Sequence, residues 1–167
     1  VASGIAYTGG PYPLGYHGLG DLFVFVFFGV IAVTGTYYVQ AAAALAAPLT
    51  TTIPPGTITL EAVVASLPIA AISTNILVVN NIRDKAEDET TGKRTLAVRF
   101  GYGFSRAEYI GLLGVAYLVP VWLWLATPFS LSVLLPLVTL PIAARVAETV
   151  RTETSGRQRR CEPERKR

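Results

Sequence analysis

A polar run near the middle of the sequence holds the side chains best suited to chemistry, NNIRDKAEDETTGKRTLAVRFG at residues 80–101. Asn80, Asp84 and Asp88 recur in it at intervals of four residues. On a helix, each four-residue step advances about 40° beyond a full turn, so the three side chains share one face near the helix end. Two carboxylates and an amide oxygen are hard ligands of the kind that Mg²⁺ uses together with water and substrate phosphates. The spacing therefore predicts a Mg²⁺–phosphate site.

Three basic residues accompany these oxygen ligands: Arg83, Lys93 and Arg94. Their charge suits the oxygens of a diphosphate, and Gly92 permits a turn between the acidic and the basic parts. The same mixture of charges is typical of a solvated helix face, and spacing alone favours that interpretation. Placement favours the functional interpretation, because the acids directly follow an apolar span and polar groups at membrane depth are costly.

The element that must position these side chains is a membrane helix, because long windows of the sequence lack charge. No Asp, Glu, Lys or Arg occurs between residues 21 and 61, between 61 and 83, or between 108 and 145. A helix that crosses the bilayer core needs about 20 mostly apolar residues. The windows predict an all-α, multi-span transmembrane helix bundle with spans at 22–39, 62–82, 109–126 and 129–147.

Composition agrees with a membrane protein and excludes several classes of soluble protein. Of the 167 residues, 51% are hydrophobic and 15% are charged, below the roughly 25% charged residues of a soluble domain. A single cysteine, Cys161, and a single histidine, His17, exclude a disulfide framework and zinc sites built from clusters of these residues. Residues 1–150 hold seven Lys/Arg against eight Asp/Glu, so the net charge of +3 comes from residues 151–167. This distribution predicts no nucleic-acid partner.

Basic residues also predict the orientation of the chain. Residues 83–106 contain six Lys/Arg and the stretch after Ala144 contains eight, whereas 40–60 contains none. By the positive-inside rule, the 83–106 loop and the C-terminal tail are expected on the cytoplasmic side of a bacterial plasma membrane, with the protein integral to that membrane. The tail, 148–167, is basic and polar, and we expect it to be disordered.

Two segments of the sequence resemble a known family. The run NNIRDKAEDETTGKRTLAVRFG is similar to the second aspartate-rich motif of the UbiA superfamily of membrane prenyltransferases. YTGGPYPLGYHGLGDLFVFVFFG, residues 7–29, resembles a loop and the following helix of the same enzymes, as does GTYYVQ at 35–40. Within the superfamily, the sequence looks most like the enzymes that prenylate 1,4-dihydroxy-2-naphthoate for menaquinone or phylloquinone biosynthesis. The resemblance covers about residues 1–147, which we expect to form a partial prenyltransferase domain.

The resemblance implies an enzyme that transfers a polyprenyl group from polyprenyl diphosphate to 1,4-dihydroxy-2-naphthoate with loss of CO₂. The product would be demethylmenaquinone or its phytyl equivalent. Mg²⁺ would be held by Asp84 and Asp88, with Asn80 contributing, and would neutralise the diphosphate as it leaves. The three basic residues would bind the diphosphate, and the apolar spans, set in membrane lipid, would enclose the prenyl chain.

Two features depart from the family pattern. The first aspartate-rich motif of the family, Asn-Asp-x-x-Asp-x-x-x-Asp, has no counterpart in this sequence. Asp21 is the only acidic residue before Glu61, and its type suits the first turn of a helix. The tail also lacks the apolar content of a further span. We therefore expect the chain to correspond to the C-terminal portion of the fold with half of its metal site, and a nonfunctional membrane half-bundle is an alternative.

Tyr12, Tyr16 and His17 lie in the loop before the first span, which resembles the substrate-side loop of the family. They are candidates for contact with the acceptor or the diphosphate, and interfacial aromatic residues at the membrane boundary are the alternative interpretation. A transporter fragment is a competing function, indicated by the charged run at 88–94, but that run does not account for Asn80 or Asp84. A CDP-alcohol transferase would need a second acidic pair, which the sequence lacks.

Overall fold

The computed structural model describes residues 14–44 and 56–152, and the regular structure in these two ranges is entirely helical. A short 3₁₀ helix, Leu14–His17, precedes four long helices. These are α1, Gly20–Ala44; α2, Leu60–Thr90; α3, Leu96–Ala126; and α4, Leu131–Thr152. Each is long and apolar enough to cross a membrane, so the expectation of an all-α bundle with four spans is confirmed.

The first half of α1 departs from regular α-helical geometry, because Val24–Ile31 is π-helical. Gly29 lies in this stretch against Ala70 of α2, and a β-carbon on Gly29 would overlap the Ala70 side chain. The missing side chain therefore lets the two helices cross at very short range. Departures of this kind occur frequently at functional sites, and this one begins three residues after Asp21.

Thr59 caps the start of α2, because its Oγ1 accepts a hydrogen bond from the Ala62 N–H at 3.2 Å. α2 does not stop where the apolar span ends, because the residues that follow favour helix. Lys85 and Glu89, one turn apart in this extension, form an ion pair. The polar stretch expected as a loop at 83–106 is consequently helical over most of its length, with a turn at 91–95.

α3 and α4 each contain an irregular segment. α3 starts at a Thr95 cap and bends at Gly101, whose φ of +81° lies in the left-handed region that favours glycine. α4 begins as a 3₁₀ helix, Leu131–Thr139, and continues as an α-helix. Residues 148–152, expected as part of the tail, are helical, and the rest of the tail lies outside the described residues.

α2 is the central helix and packs against both α1 and α3. The buried side chains of Val78 and Ile82 on α2 meet Tyr109 of α3 and Ala147 of α4. Asn75 adds a polar link within this layer, because its Nδ2 donates to the Tyr109 carbonyl oxygen at 3.3 Å. Many large apolar side chains on the outer faces are exposed, which is the arrangement expected of helices that face lipid.

Candidate active site

A cavity of about 490 Å³ opens where the start of α1, the end of α2 and the turn at 91–95 meet. It combines three glycines, acidic and amide side chains, two threonines and one lysine. Its lining consists of Gly15, Tyr16, Gly18, Gly20, Asp21, Leu77, Asn81, Asp84, Glu87, Asp88, Thr91, Lys93 and Thr95. The polar face of α2 therefore opens onto a space large enough for a ligand.

The α2 side of the cavity is a single helical stripe. Leu77, Asn81, Asp84, Asp88 and Thr91 follow one another at alternating steps of four and three residues. This alternation averages close to the 3.6 residues of one helical turn, so the side chains stay on one face. Steps of four residues drift instead by about 40° each. The stripe therefore reaches the cavity through Asn81, and its neighbour Asn80 does not line it.

Both aspartates of the stripe are paired with basic residues. Arg83 Nε and Nη2 donate to the two oxygens of Asp84 at 2.7 and 2.8 Å, on the exposed side of the helix. Lys93 Nζ lies 3.3 Å from Asp88 Oδ1 and 3.4 Å from Oδ2. Asp88 is only 6% exposed, so its ion pair is the more shielded of the two. The cavity thus holds carboxylates whose charge is balanced by side chains that could also contact an anion.

The turn at 91–95 is joined to the segment before α1. The Arg94 N–H donates to the Tyr16 carbonyl oxygen at 2.8 Å. Gly18 lies at the same contact, with a φ of +76°, and a β-carbon on it would be 2.9 Å from the Arg94 carbonyl oxygen. Glycine is required here both by conformation and by space. This contact closes the cavity on the side away from α2.

Asp21 and Asn81 form a buried polar contact in the lining of the cavity. Asn81 Nδ2 donates to Asp21 Oδ1 at 3.2 Å and to Oδ2 at 3.3 Å. The two residues are 4% and 6% exposed, respectively. They join the first turn of α1 to the centre of the α2 stripe. A contact across so large a separation in the chain has no signal in the sequence.

The structure brings together only part of the predicted site. The predicted residues that line the cavity are Tyr16, Asp84, Asp88 and Lys93. Those that lie outside its lining are His17, Asn80, Arg83 and Arg94. Arg83 and Arg94 remain close to it through their contacts with Asp84 and Tyr16. Tyr12 lies outside the described residues.

Several lining residues were not predicted from the sequence. They are Asp21, Asn81, Glu87, Thr91 and Thr95, together with the glycines before α1 and Leu77. Alternating steps of three and four from Asp84 and Asp88 would have found Asn81 and Thr91. Thr95 is recognisable as a helix cap, because its Oγ1 accepts from the Val98 N–H at 3.4 Å.

The oxygen ligands of the cavity suit a cation whose coordination is completed by groups other than protein side chains. Within the described residues, no group of three or more His, Cys, Asp or Glu side chains could hold a metal ion. Asp84 and Asp88 supply two hard carboxylates, and Mg²⁺ is commonly bound by one or two carboxylates, with water and substrate phosphates completing the coordination. The residues present therefore fit Mg²⁺ that arrives with a phosphate ligand and do not form an all-protein cage.

Known proteins resemble this chain along most of its length. The 1,4-dihydroxy-2-naphthoate octaprenyltransferase of Mycobacterium tuberculosis is 40% identical over 158 residues, which are 95% of this chain and 48% of the relative. The protein of the same name from Haemophilus influenzae is 34% identical over 88% of this chain and 43% of its own length. UbiA prenyltransferase domain-containing protein 1 of Mus musculus is 33% identical over 92% of this chain and 40% of its own length.

The chain spans about half the length of the curated relatives that it matches. No solved structure matches it. The model of the UbiA prenyltransferase family matches residues 1–162, and this match confirms the resemblance that the aspartate-rich motif indicates. On these grounds the chain belongs to the UbiA prenyltransferase family.

Proposed function

We propose that this chain carries the diphosphate-binding part of an enzyme that transfers a polyprenyl group to 1,4-dihydroxy-2-naphthoate, with loss of CO₂. Family membership supports the reaction class, and the names of the relatives support the acceptor. The observation that carries the proposal is the cavity in which Asp84 and Asp88 lie side by side on one helix face, each within reach of a basic residue.

Asp84 and Asp88 are the proposed Mg²⁺ ligands. Mg²⁺ bound between them and the donor would supply charge neutralisation of the diphosphate leaving group. The spacing of the motif predicts Asn80 as a further ligand of the metal. In the structure Asn80 lies one position from the stripe, and Asn81 is the amide side chain that lines the cavity. We therefore assign the two carboxylates to the metal and give Asn80 at most a contact through water.

The basic residues have distinct places in this proposal. Lys93 lines the cavity and pairs with Asp88, so it can transfer its hydrogen bonds to a diphosphate oxygen when a metal binds that carboxylate. Arg83 holds Asp84 from outside the cavity and fixes the orientation of its carboxylate. Arg94 is tied to Tyr16 through its backbone and positions the wall of the cavity. Of the three, Lys93 is the residue that we expect to contact the diphosphate.

The opposite wall is the proposed acceptor side. Tyr16 borders the cavity from the 3₁₀ helix before α1, and His17 follows it on the same element.

Leu77 is the apolar end of the α2 stripe. It lies toward the membrane-spanning part of the helix, where a prenyl chain would be directed.

The proposal is tested by neutralising the two aspartates in the complete gene product. We expect Asp84→Asn and Asp88→Asn each to lower the rate of Mg²⁺-dependent prenyl transfer by roughly 100-fold or more, because metal stabilisation of a leaving group is worth several kcal/mol. The readouts are the prenylated product and the CO₂ released from the acceptor, in equal amounts. Glu89→Gln is the matched control, since Glu89 is an exposed acid on the same helix end that does not line the cavity.

Glu89→Gln loses an ion pair with Lys85 in which the Glu89 side chain is exposed, and ion pairs at a protein surface contribute at most about 1 kcal/mol. Its prenyl transfer should match that of the unmodified protein. Normal turnover in the Asp84→Asn/Asp88→Asn double variant would refute the assignment of the site.

We also propose that the cavity opens toward the cytoplasm, in an integral membrane protein of the bacterial plasma membrane. The basic residues of 83–106 support this orientation. The test is labelling of Glu89→Cys, in a Cys161→Ser background, by a membrane-impermeant maleimide. The label should react in inverted vesicles and not in intact cells, whereas labelling of intact cells would reverse the orientation.

A further inference from the structure

One buried carboxylate of the cavity has no role in the diphosphate site. Asp21 is 4% exposed, lines the cavity, and accepts hydrogen bonds at both oxygens from Nδ2 of Asn81. Among residues 14–44 and 56–152, no lysine or arginine forms an ion pair with it, and Lys93 is engaged by Asp88. The Asp21 carboxylate therefore lies in a shielded position, held by hydrogen bonds and without a paired cation among the described residues.

This environment leaves hydrogen-bonding capacity at the cavity wall. An ionised carboxylate offers about four lone-pair positions, and the Asn81 amide nitrogen together with one backbone N–H does not fill them. A buried charge is costly unless hydrogen bonds or opposite charges compensate it. Asn81 is itself 6% exposed and packed in α2, so it holds the carboxylate in a fixed orientation. A ligand that brings a donor would complete the compensation.

The position of Asp21 argues against a shared metal as that ligand. Sharing an ion with Asp84 and Asp88 would require a cluster of three acidic side chains. The part of the chain that the structure describes contains no such cluster with the geometry to hold a metal ion. A neutral group that donates an O–H or N–H hydrogen bond suits such a carboxylate, and O–H donors to carboxylates form short, strong bonds.

The proposed acceptor carries such donors, and its chemistry distinguishes them. In 1,4-dihydroxy-2-naphthoate, the 1-hydroxyl is adjacent to the carboxylate and donates to it within the molecule. The 4-hydroxyl has no internal acceptor. We propose that Asp21 binds the 4-hydroxyl of the aromatic acceptor and that Asn81 is the positioning residue that holds the carboxylate toward it. This inference rests on the proposed function, because it takes its ligand from the proposed reaction.

The same contact would orient the acceptor ring. Asp21 repels the carboxylate of the acceptor, since like charges in a shielded cavity are unfavourable. The edge that bears the 4-hydroxyl would therefore face α1, and the edge that bears the carboxylate would face away from it. Asp21 would thus both attract one edge of the ring and exclude the other.

The test compares the binding of two ligands that differ only in the 4-hydroxyl, 1,4-dihydroxy-2-naphthoate and 1-hydroxy-2-naphthoate. Binding to the purified complete gene product is measured by naphthoate fluorescence, anaerobically and without a prenyl donor. We expect the unmodified protein to bind the dihydroxy compound roughly 10- to 100-fold more tightly, as for a hydrogen bond to a charged group. Asp21→Asn should bring the ratio of the two dissociation constants close to one.

Further variants separate positioning from a general structural effect. Asn81→Ala should lower the ratio, and Asn81→Ser, which retains a short donor, should recover part of it. Glu89→Gln, which changes an exposed acid that does not line the cavity, is the control and should keep the unmodified ratio. The unmodified ratio and the Asn81 variants test the inference even where Asp21→Asn does not fold.

The outcomes distinguish this inference from the proposed function. An unmodified protein that binds neither ligand, or binds both equally, overturns the inference. It is also overturned when Asp21→Asn keeps the original ratio or weakens both ligands to the same extent. Prenyl transfer without a 4-hydroxyl preference would leave the proposed function in place and remove the inference. A clear preference for the ligand with the 4-hydroxyl, in a protein that does not transfer prenyl groups, would support the inference and refute the proposed function.

Discussion

Gly18→Ala is the most informative single change, because it strains the contact that closes the cavity. A residue with a β-carbon at a φ of +76° costs about 1–2 kcal/mol. That carbon would also lie 2.9 Å from the Arg94 carbonyl oxygen, closer than real β-carbons come to a heavy atom. Overpacking of this kind costs about 1–3 kcal/mol. The total strain is therefore about 2–5 kcal/mol.

This strain exceeds the restraint that holds the two segments together. The hydrogen bond from the Arg94 N–H to the Tyr16 carbonyl oxygen is 2.8 Å long and contributes about 1 kcal/mol net. We therefore expect Leu14–His17 to release from the turn at 91–95 while the four long helices stay folded. Releasing this segment removes Tyr16 from the cavity wall. A loss of about 1.4 kcal/mol of binding free energy weakens affinity by a factor of ten. Losing the Tyr16 side of the cavity should therefore raise the KM for the substrates about 10-fold or more.

The assay is prenyl transfer by the complete gene product, together with amide hydrogen exchange at residues 14–18. Gly56→Ala is the matched control, because Gly56 has a φ of +84° and no described heavy atom within 4 Å of an added β-carbon. It carries the conformational strain without the collision and lies outside the cavity lining. Equal KM values in the two variants, or unchanged exchange at 14–18 in Gly18→Ala, would refute the reasoning.

The remaining predictions concern packing, charge and metal. Gly29→Ala should lower the melting temperature in detergent and the yield of protein, because its β-carbon would overlap Ala70. Gly35→Ala should lower neither, because Gly35 faces open space on the same helix. Equal melting temperatures of the two variants would contradict the close crossing of α1 and α2. Lys93→Ala leaves the buried Asp88 without its ion-pair partner. Mg²⁺ should therefore raise the melting temperature of this variant more than that of the unmodified protein. An equal rise would show that the metal does not reach Asp88. Chelation of Mg²⁺ should abolish binding of polyprenyl diphosphate, measured with a radiolabelled donor, and bound donor in excess chelator would remove the metal from the proposal.

The membrane architecture could be predicted because it depends on properties that are local in the sequence. Charge-free windows identify apolar helices without any knowledge of their neighbours. The ends of the helices were harder to place, because charged residues do not end a helix once it leaves the membrane. α2 continues to Thr90 and α3 begins at Leu96, so the expected loop at 83–106 is reduced to a short turn. The π-helical stretch of α1 has no recognisable signal.

The site could be predicted only where it follows one helix. Asp84 and Asp88 share a face by their spacing alone, and the structure keeps them on that face. The choice between Asn80 and Asn81 required the exact phase of the stripe, which depends on how α2 packs. Asp21 joins the site through a contact with Asn81 that spans 60 residues. Such a contact arises from the crossing of α1 and α2 and cannot be read from either segment.

The balance of charge around the cavity connects the proposed metal to the proposed donor. Four acidic side chains line it, Asp21, Asp84, Glu87 and Asp88, against one lysine. A diphosphate entering without a cation would therefore meet net repulsion in a partly shielded space, where charges interact more strongly than in water. A divalent cation bound by Asp84 and Asp88 would offset two of the three excess negative charges of the lining and would free Lys93 for the diphosphate. Under the proposed assignment, the metal would favour binding of the donor before any bond is broken, and we therefore expect chelation to affect donor binding as well as turnover.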